Sequence, residues 1–471
     1  MRFVLVALLL GIATALHAGI HQESIEKIIA VELPLSGAPG LSYAVLDDSD
    51  IMSGAHGEMV AGSGREISPD TPFVLGSIAK SFTALAVMQL VESGQVDLDA
   101  EIHQYLDGFA ESPGRNVTIR QLLSHTSGYS TFQGNDSLSG EGASADGLSR
   151  QVARIAQWSP AHEPGTRWEY SNANYYVLGA LIEELSGQDY ARYVETQILE
   201  PIGMEHSFVA DGGVHETARG HVPWFGGKRA LKEAASDRMS APVGGIIATA
   251  RDTALYLAVM MNGEDDIISA RGKVEMMQPA SEVSPFYGFG WYLDTANGTV
   301  SHTGLTPGVE TLAIMKPAER KAAVVLINAS SGMGFGENAN LMNAISARAL
   351  GLDYTPAGDA GRWSRMGLFL LFALLPVLFV VGIVQVALSR AGLRAKSGVS
   401  GAFSLWFPML TTIALAWVCI FLVPQLFGVS MGTLQRYSPD LALALVASAV
   451  AGVAWAVLRL VLYYSGPRAA T

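Results

Sequence analysis

The sequence is poor in the residues and motifs that would indicate disulfide, metal or nucleotide chemistry. Cys419 is the single cysteine among 471 residues, so no intrachain disulfide can form. No Gly-rich phosphate loop and no His/Cys cluster with metal-ligand spacing is found, so we expect neither a metal nor an organic cofactor. The formal net charge of −13 makes nucleic acid an unfavourable partner. Any chemistry must therefore come from ordinary side chains.

Charge is scarce at both ends of the chain. Arg2 precedes an apolar run at residues 3–10, and small residues follow near position 18, which is typical of a secretory signal peptide over residues 1–18. A signal anchor is the alternative, although the run is short for a bilayer span. We therefore predict that the chain is exported.

The C-terminal quarter has the composition of a membrane protein. Three apolar runs, at 366–388, 403–427 and 441–464, are each long enough to cross a bilayer. We predict three transmembrane helices within 366–464, preceded by a linker at 352–365 and followed by a cytoplasmic tail at 465–471. Buried helices of a soluble core are the alternative, which the near absence of charge disfavours.

The charges between the runs predict the orientation. Arg390, Arg394 and Lys396 lie between the first two runs, and the positive-inside rule places that connection in the cytoplasm. Arg362 and Arg365 argue mildly against this orientation, whereas the signal peptide supports it. We expect a protein of the bacterial inner membrane whose large N-terminal domain, residues 19–351, lies on the periplasmic side.

The N-terminal domain has the pattern of an α/β fold. Two strands come first, a helical middle follows, and strands return before a last helix, which predicts an antiparallel sheet flanked by helices with an inserted helical subdomain. The expected strands are 41–46, 51–56, 287–294, 299–302, 309–315 and 321–328, and the last helix is 337–350.

Ser77 and Lys80 lie three residues apart at the predicted start of a helix over 77–92. Residues at that spacing share a helix face, so the lysine amine can reach the serine hydroxyl and activate it as a nucleophile. Taken alone, the pair is more often a helix cap and a solvated lysine.

Two further motifs follow in a meaningful order. Tyr170-Ser171-Asn172 precedes a predicted helix, and His302-Thr303-Gly304 ends a predicted strand. Alone, Tyr170 would be read as a packing tyrosine, Asn172 as a helix cap and His302 as a solvent-facing residue. Together with Ser77 and Lys80, these motifs form a single constellation.

This order resembles the penicillin-recognising serine hydrolases, in their class C β-lactamase-like branch. The similarity covers roughly residues 25–350 and includes segments 118–128, 163–168, 200–204 and 287–291. It implies a β-lactamase-like fold and an acyl-enzyme on Ser77. The three C-terminal spans are similar in layout to the membrane-bound colibactin-maturing prodrug peptidases, which remove an N-acyl-D-asparagine cap.

The resemblance implies a role for each motif. The base is Lys80, Tyr170 or the coupled pair; the substrate-binding residues are Asn172, His302, Thr303 and Gly304; and the backbone N–H groups of Ser77 and Leu305 form the oxyanion hole. His302 stands where many relatives have lysine. A neutral imidazole holds a substrate carboxylate less well than an ammonium does.

We therefore predict a membrane-anchored serine hydrolase, most simply a D-stereoselective peptidase or amidase. Its partners would be a small-molecule or peptide substrate, which could be amphiphilic, and the lipid bilayer. An esterase or weak β-lactamase of the same fold is one alternative. A cell-wall ligand sensor without catalysis is another, and the oligomeric state is left open.

Overall fold

A computed structural model of the chain describes residues 22–136, 144, 146–211, 215–232, 237–356 and 359–465. The chain divides into two compact units. The first contains the residues up to Gly332 together with Gly336–Ala357, and the second contains Met333–Phe335 with the residues from Gly358 onward. The predicted signal peptide and most of the cytoplasmic tail lie outside the described residues.

The described residues of the first unit form three antiparallel sheets. The main sheet has six strands in the order β2-β1-β11-β10-β9-β8, and two small sheets have the orders β3-β7-β4 and β5-β6. The strands are β1 (Gly40–Asp47), β2 (Asp50–Gly57), β3 (Phe73–Val74), β4 (Phe208–Val209), β5 (His221–Trp224), β6 (Gly227–Ala230), β7 (Ile246–Ala248), β8 (Tyr292–Asp294), β9 (Thr299–Thr306), β10 (Val309–Lys316) and β11 (Lys321–Ile327).

Helices surround this sheet and form the inserted region. They are α1 (22–36), α2 (Ala79–Glu92), α3 (Ile119–Leu123), α4 (Thr131–Asp136), α5 (Gly147–Ile155), α6 (Asn172–Ser186), α7 (Tyr190–Val194), α8 (Glu200–Ile202), α9 (Ala241–Gly244), α10 (Ala250–Met261), α11 (Ala270–Met276) and α12 (Ala339–Leu350). The predicted α/β architecture is confirmed.

The central strands are buried on both faces, which explains their nearly unbroken apolar sequences. In β1, Leu41, Tyr43 and Val45 pack in the cluster that holds α1 and α12. Ala44 and Leu46 point the other way, into the large cluster that contains α2 and α10. Because side chains alternate across a strand, one strand thus joins both helical layers to the sheet.

The structure differs from the sequence prediction around Ser77. A 3-10 turn at Gly76–Ile78 precedes α2, so Ser77 lies before the helix rather than capping it. The N–H of Leu75 donates to the carbonyl oxygen of Ile246 at 2.8 Å, which attaches this turn to β7. The small sheet, which the sequence prediction missed, therefore helps to position the turn.

Two predicted segments also differ in detail. The stretch predicted as one strand over 287–294 is strand only at β8, and its first part forms turns joined by an isolated bridge between Tyr287 and Tyr292. The Gly-, Ser- and Asp-rich stretch 127–147, whose composition predicts a loop, contains the helix α4.

The second unit is helical. Within its described residues, three helices are long and apolar enough to cross a membrane, at Gly361–Leu388, Gly398–Leu426 and Pro439–Tyr464. The first helix begins at Asp359, inside the stretch predicted as a linker. The helices are α13 (Asp359–Leu388), α14 (Arg390–Arg394), α15 (Gly398–Trp417), α16 (Val423–Leu426), α17 (Met431–Tyr437) and α18 (Pro439–Tyr464).

Candidate active site

Ser77 and Lys80 are in hydrogen-bond contact. Lys80 Nζ lies 3.0 Å from Ser77 Oγ and donates a second hydrogen bond, of 2.8 Å, to the carbonyl oxygen of Val243. Val243 belongs to α9, which lies 163 residues later in the chain. This fold-dependent contact holds the amine against the hydroxyl, and no sequence motif indicated it.

The Lys80 side chain is fully buried. Among its hydrogen-bond and ion-pair partners in the described part of the chain there is no carboxylate. Burial without a negative partner disfavours the ammonium, so the pKa of Lys80 is held well below the usual lysine value. The neutral amine is therefore accessible at lower pH than for a solvated lysine.

Tyr170 lies beside this pair. Its ring centroid is 5.1 Å from Lys80 Nζ, and its ring lies against that of His125, with 4.3 Å between centroids. His125 Nδ1 accepts a hydrogen bond of 3.2 Å from the backbone N–H of Ser171. The His125 ring thus packs against the Tyr170 ring, and the hydrogen bond to His125 orients Ser171. His125 was not among the predicted site residues.

Asn172 is the first residue of α6, and the cap position belongs to Ser171. Asn172 Nδ2 donates to Oδ1 of Asn135 at 3.0 Å, while its own Oδ1 is buried with no hydrogen-bond partner among the described residues. The helix-cap interpretation of Asn172 is therefore not what the structure shows. Asn135, at the end of α4, was not among the predicted site residues.

His302 is buried at the inner side of β9 and does not face solvent. Its Nδ1 donates to the carbonyl oxygen of Thr303 at 2.7 Å, so Nε2 is free to accept from the Tyr287 hydroxyl at 3.3 Å. Burial, and then the positive charge of Lys80, lower the pKa of His302 to about 3. The imidazole is therefore neutral throughout the physiological range.

The strand β9 runs against the Ser77 turn. A Cβ at Gly76, whose φ is +58°, would lie 2.9 Å from the Leu305 nitrogen, and a Cβ at Gly304 would overlap the Leu75 carbonyl oxygen. Gly304 therefore allows the strand to approach the turn itself, whereas the sequence indicated a close approach of substrate. This contact brings the Leu305 N–H next to the Ser77 backbone.

Beyond Ser301, one edge of β9 has no strand partner among the described residues, because β8 pairs only with Thr299–Ser301. The side chains of Thr303 and Leu305 are exposed there, and Leu305 is 50% exposed. β9 is therefore an edge strand only in its second half.

Aromatic residues that were not predicted as site residues extend the site beyond Tyr170. Trp168 lies 6.4 Å from the Tyr170 ring and 5.1 Å from the ring of Phe286, which is 42% exposed. The Trp168 indole N–H is buried without a hydrogen-bond partner in the described residues. Trp168 ends segment 163–168, one of the segments that resemble the penicillin-recognising serine hydrolases, but only the fold shows that it borders Tyr170.

Comparison with known proteins gives one family match and several relatives. The family model described as Beta-lactamase matches residues 28–347. Protein flp of Staphylococcus aureus strain N315 is 24% identical over 319 residues, which cover 66% of this chain and 64% of that protein. The chain therefore spans less than two thirds of that relative.

Solved structures share the fold. The penicillin-binding protein homologue from Pyrococcus abyssi superposes with a TM-score of 0.62 and 26% identity, covering 70% of this chain and 77% of that one. The D-amino acid amidase from Ochrobactrum anthropi SV3 gives a TM-score of 0.60 at 22% identity, covering 70% and 97%. At that identity, the amidase is evidence for the fold alone.

Proposed function

Because this chain belongs to the Beta-lactamase family, whose members in this branch are serine hydrolases, we propose that it is a membrane-anchored D-stereoselective peptidase or amidase. It would act through an acyl-enzyme on Ser77. The observation that carries this proposal is the position of the buried Lys80 amine 3.0 Å from the Ser77 hydroxyl, with no carboxylate partner among the described residues.

Lys80 is the proposed general base. Its lowered pKa leaves a neutral amine that takes the Ser77 proton as Oγ attacks the substrate carbonyl carbon. When the tetrahedral intermediate collapses, the carbonyl C–N bond breaks and the leaving nitrogen takes a proton from the Lys80 ammonium, directly or through the Tyr170 hydroxyl. Water then attacks the acyl-enzyme in the same way and releases the acid.

The oxyanion hole would be formed by two backbone N–H groups, those of Ser77 and Leu305. The proximity of Leu305 to Gly76 supports this assignment. Both donors lie on backbone that packing holds in place, so they need little reorganisation as charge develops on the carbonyl oxygen.

The neutral His302 favours substrates without a free carboxylate next to the scissile bond. A buried imidazole whose pKa is about 3 cannot provide the fixed positive charge that a carboxylate would need. We therefore propose amide or peptide bonds whose leaving group is uncharged. Esters satisfy the same condition, so the esterase is the second candidate.

The D-configuration of the substrate is part of this proposal, and the resemblance of the motifs to the penicillin-recognising serine hydrolases supports it. The partly exposed Leu305 and Phe286 offer apolar surface beside the site. With three helices able to span a bilayer, an amphiphilic substrate would be concentrated at the membrane where the enzyme acts.

The test uses the full-length protein in detergent and two pairs of substrates. The first pair is N-acyl-D-Ala-D-Ala with its C-terminal carboxylate and the same peptide as its carboxamide, and the second is a D-amino acid amide with its L-enantiomer. We expect faster turnover of the carboxamide, by about tenfold in kcat/KM, roughly the value of one charge-assisted hydrogen bond. We also expect faster turnover of the D-enantiomer.

Ser77→Ala should abolish substrate turnover. It should also abolish the acyl-enzyme adduct that intact-protein mass spectrometry detects on the wild-type protein. Ser81→Ala is the matched control, because Ser81 lies on α2 with its hydroxyl bonded to the carbonyl oxygen of Ile78. Full activity of Ser77→Ala would refute the mechanism. Faster turnover of a short ester than of any D-amide would favour the esterase, and an adduct without turnover would favour the sensor.

A further inference from the structure

Arg459 is a cation within the predominantly apolar helix α18, five residues before the helix ends at Tyr464. Arg459 Nη2 donates a hydrogen bond of 2.9 Å to the carbonyl oxygen of Ser404 on α15. Its guanidinium carbon lies 5.0 Å from the centroid of the Trp455 ring. Its Nε is buried and has no hydrogen-bond partner among the described residues. A charged group in an apolar span is costly unless something compensates it.

A second cation converges on the same serine. Lys396 Nζ donates to Ser404 Oγ, while Arg459 donates to the carbonyl oxygen of that residue. Two positive groups are thus held against a single residue, within about 8 Å, the distance over which salt screens charges. Their repulsion opposes this arrangement unless an anion lies between or beside them.

A third cation lies at the same end of the helices. Arg394 Nε donates to the carbonyl oxygen of Leu462 at 3.0 Å, and Leu462 is three residues beyond Arg459 on α18. The Tyr463 hydroxyl donates to the backbone carbonyl oxygen of Lys396 at 3.2 Å. These contacts fix the connection between α13 and α15 against the end of α18, so the three cations form one cluster.

Among the described residues from 360 onward, no side-chain carboxylate lies near the cluster. From residue 360 onward, Asp440 is the only acidic residue, and it lies at the first turn of α18. At 1.5 Å per residue, Asp440 is roughly 28 Å from Arg459 along the helix. Among the ion pairs of the described residues, none includes Arg394, Lys396 or Arg459.

We propose that this cluster, formed by Arg394, Lys396 and Arg459, binds the phosphate of an anionic phospholipid headgroup. The proposal rests on the membrane anchoring put forward above as part of the proposed function. A phosphodiester brings one negative charge and acceptor oxygens to a place where two cations already converge. The positive-inside rule assigns the cluster to the cytoplasmic leaflet.

The surroundings favour a lipid over phosphate from solution. Val457 and Val461 are exposed on α18, at 41% and 51%, and Phe403 is exposed on the neighbouring α15 at 62%. Apolar side chains next to a phosphate site provide a surface for the acyl chains. Trp455 and Tyr463 are also the kinds of residue that prefer the depth of the headgroups.

The test is native mass spectrometry of the full-length protein in a nonionic detergent, titrated with phosphatidylglycerol or with phosphatidylcholine of the same acyl chains. We expect selective retention of phosphatidylglycerol. Lys396→Gln and Arg459→Gln should each weaken its binding by about fivefold, the effect of one cation near an anionic surface.

Arg390→Gln is the matched control. Arg390 is exposed at the start of α14, and its replacement removes the same charge from the same connection between α13 and α15. The proposal predicts that this variant keeps wild-type binding. Equal retention of the two lipids by the wild type, or an equal loss in Arg390→Gln and Lys396→Gln, would overturn it. Protection against thermal unfolding by inorganic phosphate equal to that by phosphatidylglycerol would make solution phosphate the ligand instead.

Separate measurements test the folding of each variant and the membrane anchoring of the wild-type protein. Labelling of Ser77 by a fluorophosphonate shows that each variant has a folded catalytic unit. If Arg459→Gln does not fold, the phosphatidylglycerol binding of Lys396→Gln tests the proposal by itself. Release of the wild-type protein from membranes by alkaline carbonate would refute the anchoring, whereas the lipid titration in detergent would still report on the cluster.

Discussion

At the scale of single residues, burial determines the chemistry of the site more than residue type does. Lys80 and His302 are both inside the protein, and burial lowers the pKa of each. By contrast, Lys273 is also buried but lies 2.5 Å from Asp266, which compensates its charge. The absence of such a partner makes Lys80 suited to accept a proton.

We predict that kcat/KM rises with pH as Lys80 loses its proton and reaches its plateau below pH 10.5, the ordinary lysine pKa. The sign follows because only the neutral amine accepts the Ser77 proton and burial makes that form available at lower pH. Lys80→Arg keeps a permanent charge and should lower kcat/KM by at least about a hundredfold.

The control for this prediction is Lys273→Arg, which makes the same replacement at a buried lysine outside the site. It should leave both the rate and the pH profile close to wild type. Wild-type activity of Lys80→Arg would exclude Lys80 as the base and leave Tyr170 as the candidate.

At the scale of elements, the site depends on how closely one strand packs against one turn. β9 lies against the Gly76–Ile78 turn, and the Thr311 hydroxyl on the adjacent β10 donates to the Leu75 carbonyl oxygen at 2.7 Å. The glycines at 76 and 304 permit this approach. Any shift between the strand and the turn separates the two proposed oxyanion donors.

Gly304→Ala should therefore reduce both stability and activity. Its new methyl group would overlap the Leu75 carbonyl oxygen and Thr311 Oγ1, and overpacking of this kind costs about 1–3 kcal/mol. Thermal unfolding and kcat/KM for the same substrate measure the two effects.

Gly108→Ala is the control for that substitution, since a Cβ at Gly108 meets no atom within 4 Å. We expect it to leave both quantities almost unchanged. If Gly304→Ala behaved like Gly108→Ala, the close packing of β9 on the turn would not be needed for catalysis.

At the scale of the whole molecule, the chain combines a unit of hydrolase fold with a unit of three apolar helices. The first is the part that matches a known family, at residues 28–347. The orientation of the helices decides which compartment the hydrolase unit serves. The charged residues between the helices predict that orientation.

Two introduced cysteines test the orientation. Gly392→Cys lies in the connection predicted to be cytoplasmic, and Gly432→Cys lies in the connection predicted to be periplasmic; both glycines are exposed and in short helices. A membrane-impermeant maleimide should label Gly432→Cys on intact spheroplasts and Gly392→Cys only after permeabilisation. Cys419 is buried, so the parent chain is the unlabelled control. The reverse pattern would overturn the assigned orientation.

The sequence by itself determined the family, the fold class and the three apolar helices. Each of these is a property of local order: Ser77 and Lys80 are three residues apart, the central strands β1 and β11 are nearly continuous apolar runs, and a bilayer span is a length of apolar chain. Motifs of this kind can be read without knowing what lies next to them in space.

Only the tertiary structure decided the protonation states of Lys80 and His302 and showed why glycine is needed at positions 76 and 304. Lys80 contacts Val243, 163 residues away, and His302 meets Tyr287 across a turn, so neither pKa follows from neighbours in the sequence. The alternative in which His302 is a solvent-facing strand-end residue is excluded by its burial, which is likewise a property of packing. Burial and the absence of a countercharge are properties of packing, and packing brings together residues that the sequence keeps apart.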